Sequence, residues 1–159
     1  GCSLYSEQSN PDIDRMFLAG RTRFSQSKII ARTEGVKPIV RAMREGLPFY
    51  YLPDMDFGLR DSVFVPFFGV NAATITGVSR LAKLTGAAVV PVIATQRAKG
   101  AGYDVRFYPA FDNFPSGDDV ADARRVNAFI EDRVRENTAQ YLWTHKRFKT
   151  RPPGEAGLY

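Results

Sequence analysis

The stretch Phe49-Tyr50-Tyr51-Leu52-Pro53-Asp54-Met55-Asp56-Phe57-Gly58 changes character halfway along. Phe49 to Leu52 is apolar and aromatic and reads as a buried strand. Pro53 to Gly58 reads as a polar loop at that strand's C-terminal end, with two carboxylates alternating in it. In open α/β sheets ligands sit just outside the carboxyl ends of strands, and loops there often carry function. Asp54 and Asp56 are therefore candidates to orient a base, hold a cation or accept hydrogen bonds from a substrate. The plainer alternative is that they cap a turn, which aspartate does well.

On the N-terminal side, Ser3–Ser6 reads as a short strand. Asn10-Pro11-Asp12 then gives a helix start, with a capping Asn, a Pro at the first helical position and an acid near the positive helix end. Ile13, Met16 and Phe17 share one face, and Gly20 is expected to stop this helix. Arg21 and Arg23 follow at once. Val36, Ile39, Val40 and Met43 repeat with helical spacing up to a stop at Gly46.

On the C-terminal side, Val63–Phe68 is a short apolar run that Pro66 marks as a loop or an edge strand. Thr74, Val78, Leu81 and Thr85 predict a third helix ending at Gly86. Ala88–Ala94 reads as a buried strand paired with Tyr103–Tyr108 across a turn at residues 99–102. Ser116 or Asp118 starts a fourth helix with Ala123, Val126, Ile130 and Val134 inward. The alternation of helices and apolar strands predicts an α/β fold with a mostly parallel sheet flanked by helices. Residues 1–151 are expected to form part of a single domain, with 152–159 a frayed tail.

The chain has 159 residues, a formal net charge of +5 and a sequence pI of about 9.5. A basic surface attracts phosphate, whether on nucleic acid, on anionic lipid or on a phosphorylated substrate. The one cysteine, Cys2, excludes an internal disulfide framework and a cysteine-rich zinc site. No phosphate loop, dinucleotide fingerprint or Gly-x-Ser-x-Gly elbow is present, so neither a cofactor nor a metal is expected. No stretch approaches the roughly 18 apolar residues needed to span a bilayer. A role at a membrane is then expected to be peripheral or to use an anchor outside these residues. Gly1, followed at once by the apolar Cys2–Tyr5, is expected to be a start inside a domain.

Arg21 and Arg23 frame Thr22, and guanidinium forks bind phosphate bidentately; a solvated loop is the plainer reading. Lys146, Arg147, Lys149 and Arg151, interleaved with Trp143 and Phe148, suit RNA, anionic lipid or phosphate, or else a basic surface strand. His145 is the sole histidine, but nothing around it marks it as a general base. Cys2 has no positioned base. No complete catalytic set emerges.

Taken together, five segments resemble the lipid A biosynthesis lauroyl/myristoyl acyltransferase family. They are Gly20-Arg21-Thr22-Arg23, Tyr51 to Gly58, Ser62 to Val70, Ala72 to Gly77, and the run Gln140 to Pro152. The resemblance covers nearly the whole chain, and the Trp-x-His-Lys-Arg-Phe-Lys-Thr-Arg-Pro run is its most specific part. It implies a glycerolipid-acyltransferase-like fold, here incomplete, representing the C-terminal portion of that domain. It implies transfer from acyl–acyl carrier protein to a hydroxyl of a phosphorylated lipid A precursor, at the cytoplasmic face of the inner membrane of a Gram-negative bacterium. The family's catalytic motif is a His with an Asp or Glu five positions later. Position 150 after His145 is Thr150, so that motif and the membrane anchor are expected upstream, and this portion alone is expected to be inactive. By the same resemblance Arg21 and Arg23 would engage substrate phosphate, Asp54 and Asp56 would shape the site, and Val90-Pro91-Val92 would pack beside an acyl groove. The alternative is a non-catalytic basic α/β module that holds anionic lipid or RNA; no nucleic-acid motif rivals the five-segment match, so nucleic acid is not the expected partner.

Overall fold

Cys2–Tyr5 forms strand β1 and hydrogen-bonds in parallel on both sides, to β2 (Lys28–Ala31) and to β3 (Phe49–Tyr50), giving the order β2-β1-β3. The computed structural model describes all residues, Gly1–Tyr159, in two units, Gly1–Leu52 and Pro53–Tyr159. Parallel neighbours need a crossover, and α1 (Pro11–Thr22) and α2 (Lys37–Arg44) supply the two. The Asn10 side chain accepts from the amides of Asp12 and Ile13, so the expected cap is in place. Gly20 does not stop α1, which runs on to Thr22; a lone glycine costs a helix only about 1 kcal/mol. α2 seats Ile39 and Ala42, both buried, and packs on all three strands. The four-residue β2 is too short to show a periodicity of its own in the sequence.

In the second unit, β4 (Ser62–Phe67) and β5 (Val70–Ile75) form an antiparallel hairpin. Pro66 lies within β4 opposite Asn71. It has no amide to offer, and its carbonyl accepts from Arg124 Nη1 at 3.0 Å and from Asn127 Nδ2 at 3.2 Å. Both donors sit on α4 (Asp119–Glu136), whose start is capped by Asp118 accepting from Val120 and Ala121. Thr74, expected on a helix, is in β5; α3 begins later, at Gly77–Thr85. β6 (Val92–Gln96) and β7 (Tyr103–Phe107) pair antiparallel. The pairing matches the expectation, but the strand starts at Val92 and is not deeply buried, with Val90 46% exposed.

The fold class is thus α/β with helices and small sheets. The mostly parallel sheet holds only for β1, β2 and β3. Two of the three sheets are hairpins, because their connections are far shorter than a crossover needs. No helix is long and apolar enough to cross a membrane.

Candidate functional site

The loop after Leu52 and the run after Gln140 meet in the second unit. Asp56 is 3% exposed. Its Oδ1 accepts from the Gly58 amide at 2.9 Å, a short turn that Gly58 permits with a φ of 90°. The Thr150 hydroxyl donates to the same oxygen at 2.8 Å, and the Thr150 amide donates to Oδ2 at 2.9 Å. Both oxygens are therefore engaged by the chain itself. Asp54, two residues earlier, is half-buried and lies near enough to the Tyr141 hydroxyl for its charge to act on it. Burial pushes the Tyr141 phenol up, and the Asp54 charge pushes the same way. Tyr141 therefore keeps its proton across the neutral range.

His145 closes the other side of the loop. Its Nε2 accepts from the Asp56 backbone amide at 3.1 Å. An accepting nitrogen carries no proton, so this contact assigns the imidazole proton to Nδ1. The nitrogen that faces the loop is occupied in holding it. The contact makes His145 a brace for the loop.

Arg147 is the largest departure from the expected surface strand. It is 2% exposed. Nη1 donates to the Ala73 carbonyl at 2.6 Å and Nη2 to Thr74 Oγ1 at 2.7 Å, and the guanidinium lies 5.3 Å from the Phe67 ring centre. Burial pulls its pKa down, while Tyr141, Asp54 and Asp56 oppose that shift. A guanidinium stays charged even so. The two loop carboxylates thus face a fixed buried positive charge delivered by the tail. Thr74 also takes a hydrogen bond from Asn127 Nδ2 at 3.1 Å, which ties the cluster to α4. Around it, the Tyr141 and Phe148 rings lie tilted against Phe67 at 6.0 and 6.2 Å between centres, and Tyr141 meets Trp143 edge-on at 4.9 Å.

The four tail bases divide by side. Arg151 Nη1 donates to the Asn71 carbonyl at 2.6 Å and pairs with Glu155, so Arg147 and Arg151 point inward. Lys146 and Lys149 are exposed. Arg147, Thr150 and Tyr141 are the residues that sequence reasoning missed as members of this cluster. The signal was present in the specificity of the Gln140–Pro152 run, but its density of bases read as a solvated face.

Arg21 and Arg23 belong to the first unit, at the end of α1, and both are exposed. Arg21 Nη1 donates to the Leu4 carbonyl at 3.2 Å, and Arg23 lies 4.4 Å over the Phe24 ring. A small pocket, with room for little more than a water molecule, lies in the second unit, lined by Pro53, Thr76, Val78, Phe114, Ala123 and Val126 among others; Val90, Pro91 and Val92 do not line it. No group of three or more His, Cys, Asp or Glu side chains is placed to hold a metal ion.

Comparison with known proteins gives a consistent picture. The family model described as bacterial lipid A biosynthesis acyltransferase matches residues 1–150. A Haemophilus influenzae lipid A biosynthesis acyltransferase is 39% identical over 153 residues, which is 96% of this chain and 47% of that protein. The Escherichia coli K12 lipid A biosynthesis lauroyltransferase is 36% identical over 160 residues, covering 100% of this chain and 52% of its own length. The myristoyltransferase of the same strain is 36% identical, over 99% of this chain and 48% of itself. The chain spans about half the length of the curated relatives it matches.

Proposed function

The chain belongs to the bacterial lipid A biosynthesis acyltransferases, and on that premise we propose that it is part of an enzyme acylating a phosphorylated lipid A precursor. The donor in this reading is acyl–acyl carrier protein, and the setting is the cytoplasmic face of a Gram-negative inner membrane. The acceptor hydroxyl attacks the thioester carbonyl, an ester C–O bond forms, the C–S bond breaks and the thiol leaves. A base takes the hydroxyl proton and returns it to the departing sulfur. The observation that carries this reading is a match along residues 1–150 that includes both the Asp54–Gly58 loop and the run that braces it.

These residues supply the acceptor side. Arg21 and Arg23 present exposed guanidinia, which suit a phosphate. Asp54 and Asp56, held by Tyr141, Thr150 and His145, shape the loop at which the reacting groups meet. The base is assigned elsewhere. No His here has an acid five positions on, and the Nε2 of His145 is already an acceptor. The 159 residues alone are therefore expected to be inactive. A non-catalytic module that holds anionic lipid or RNA shares the basic charge, and the lack of a catalytic set is its one support.

A chimera tests the acceptor assignment. These 159 residues replace the matched half of the E. coli lauroyltransferase. Arg21→Ala and Arg23→Ala should each raise KM for the phosphorylated acceptor about tenfold or more and change kcat little, as lost ground-state binding does. Unchanged KM in both variants would remove the two arginines from the phosphate site.

A further inference from the structure

Helix α1 is amphipathic but buries none of its residues. Ile13 is 43% exposed, Met16 63% and Phe17 48%; Phe24, one residue past the cap, is 86% exposed. The cap residue Arg23 keeps helical angles, φ −61° and ψ −25°, so the helical path carries on toward Phe24. At 3.6 residues per turn Ile13, Met16, Phe17, Gly20 and Phe24 fall in one stripe. Arg21 and Arg23 lie on its two flanks at the C-terminal end. The acids of the helix, Asp12 and Asp14, are confined to the first turn. Asp12 pairs with Arg15, and Asp14 accepts from the Gln8 amide at 2.9 Å.

We propose that this face is a docking surface for an anionic phospholipid bilayer, entered with the C-terminal end of α1 deepest. The charge pattern chooses this occupant. A dry protein interface over the stripe would have to desolvate or pair both flanking guanidinia. At a bilayer surface Phe24, Phe17 and Met16 sit below the headgroups while Arg23, and the N–H groups of Arg21 not used on the Leu4 carbonyl, reach lipid phosphate and water from the flanks of the stripe. The acids then lie at the shallow end, away from the negative surface. The stacked Arg23–Phe24 pair joins one apolar and one cationic element at the tip. The proposal rests on the reading above only in that a lipid acceptor places the enzyme at a bilayer. It also gives that acceptor's phosphates the depth at which Arg21 and Arg23 lie.

The test uses tryptophan as a depth probe. Trp143 is the sole tryptophan, so Phe24→Trp in a Trp143→Phe background leaves one reporter. With vesicles of phosphatidylcholine and phosphatidylglycerol its emission should shift to the blue and be quenched by lipids brominated on their acyl chains. Phosphatidylcholine alone should do much less. Met16→Glu with Phe24→Glu should weaken vesicle binding at least about tenfold, and Arg21→Glu or Arg23→Glu about fivefold each. An unchanged thermal melt for the Met16→Glu, Phe24→Glu variant shows that its fold is intact. An emission that ignores vesicles, or that is already blue without them because protein covers the stripe, overturns the proposal. So does undiminished binding by the Met16→Glu, Phe24→Glu variant. None of these readouts involves acyl transfer, so a failed enzymatic reading would leave this result standing, and the reverse.

Discussion

Asp54 and Asp56 differ by two positions and by almost everything else. Asp56 is buried with three donors on it, whereas Asp54 is only half-buried and sits beside the Tyr141 phenol. Removing a buried carboxylate orphans the groups that bonded it, and each orphan costs about 1–3 kcal/mol. Asp56→Ala should therefore lower the unfolding free energy by about 3 kcal/mol in urea titration, and Asp54→Asn by about 1 kcal/mol. Equal losses would show that the Thr150 and Gly58 contacts are not what fixes the loop. The sequence made the pair conspicuous but not unequal. Their difference is set by Thr150, Tyr141 and His145, which lie far along the chain and can only be paired with the loop by folding. Arg147 is illegible for the same reason. A base between exposed lysines reads as surface, and only the Ala73 carbonyl and Thr74 hydroxyl beneath it reverse that.

Helices were the most legible elements and sheets the least. The caps Asn10 and Asp118 announce α1 and α4, because side-chain acceptors for orphan amides are local chemistry. Strand pairing is not local, which is why β2 had no signal and Thr74 could be drawn onto a helix. The two helices of the first unit have similar apolar spacing and opposite fates. Ile39 of α2 is 3% exposed, while Met16 of α1 is 63% exposed. Ile39→Ala should cost about 3 kcal/mol, the usual penalty for emptying a core position. Met16→Ala should stay within about 0.5 kcal/mol, as exposed sites do. The comparison is made by denaturant melts of the two variants. A large loss at Met16 would mean that α1 packs its apolar face against protein, and the bilayer proposal would fall with it.

For the whole molecule, the basic balance, the alternation of helices and strands and the five family segments gave the fold class and the family. They gave the β6–β7 hairpin but not the β4–β5 one, nor that parallel pairing is confined to β1, β2 and β3. Nor did they show that the tail run is an internal brace: its aromatics stack on Phe67, and its arginines bind the backbone of β5. That brace gives the most specific sequence motif a structural task beside the Asp54–Gly58 loop. The most direct measurement is acyl transfer from radiolabelled acyl–acyl carrier protein to a phosphorylated lipid A precursor. It compares the 159-residue chain with the chimera in which it replaces half of the E. coli lauroyltransferase. Transfer by the chimera and none by the chain alone is the expected result. A folded chimera that transfers nothing would contradict the functional equivalence of this half, and transfer by the chain alone would make His145 the first residue to replace.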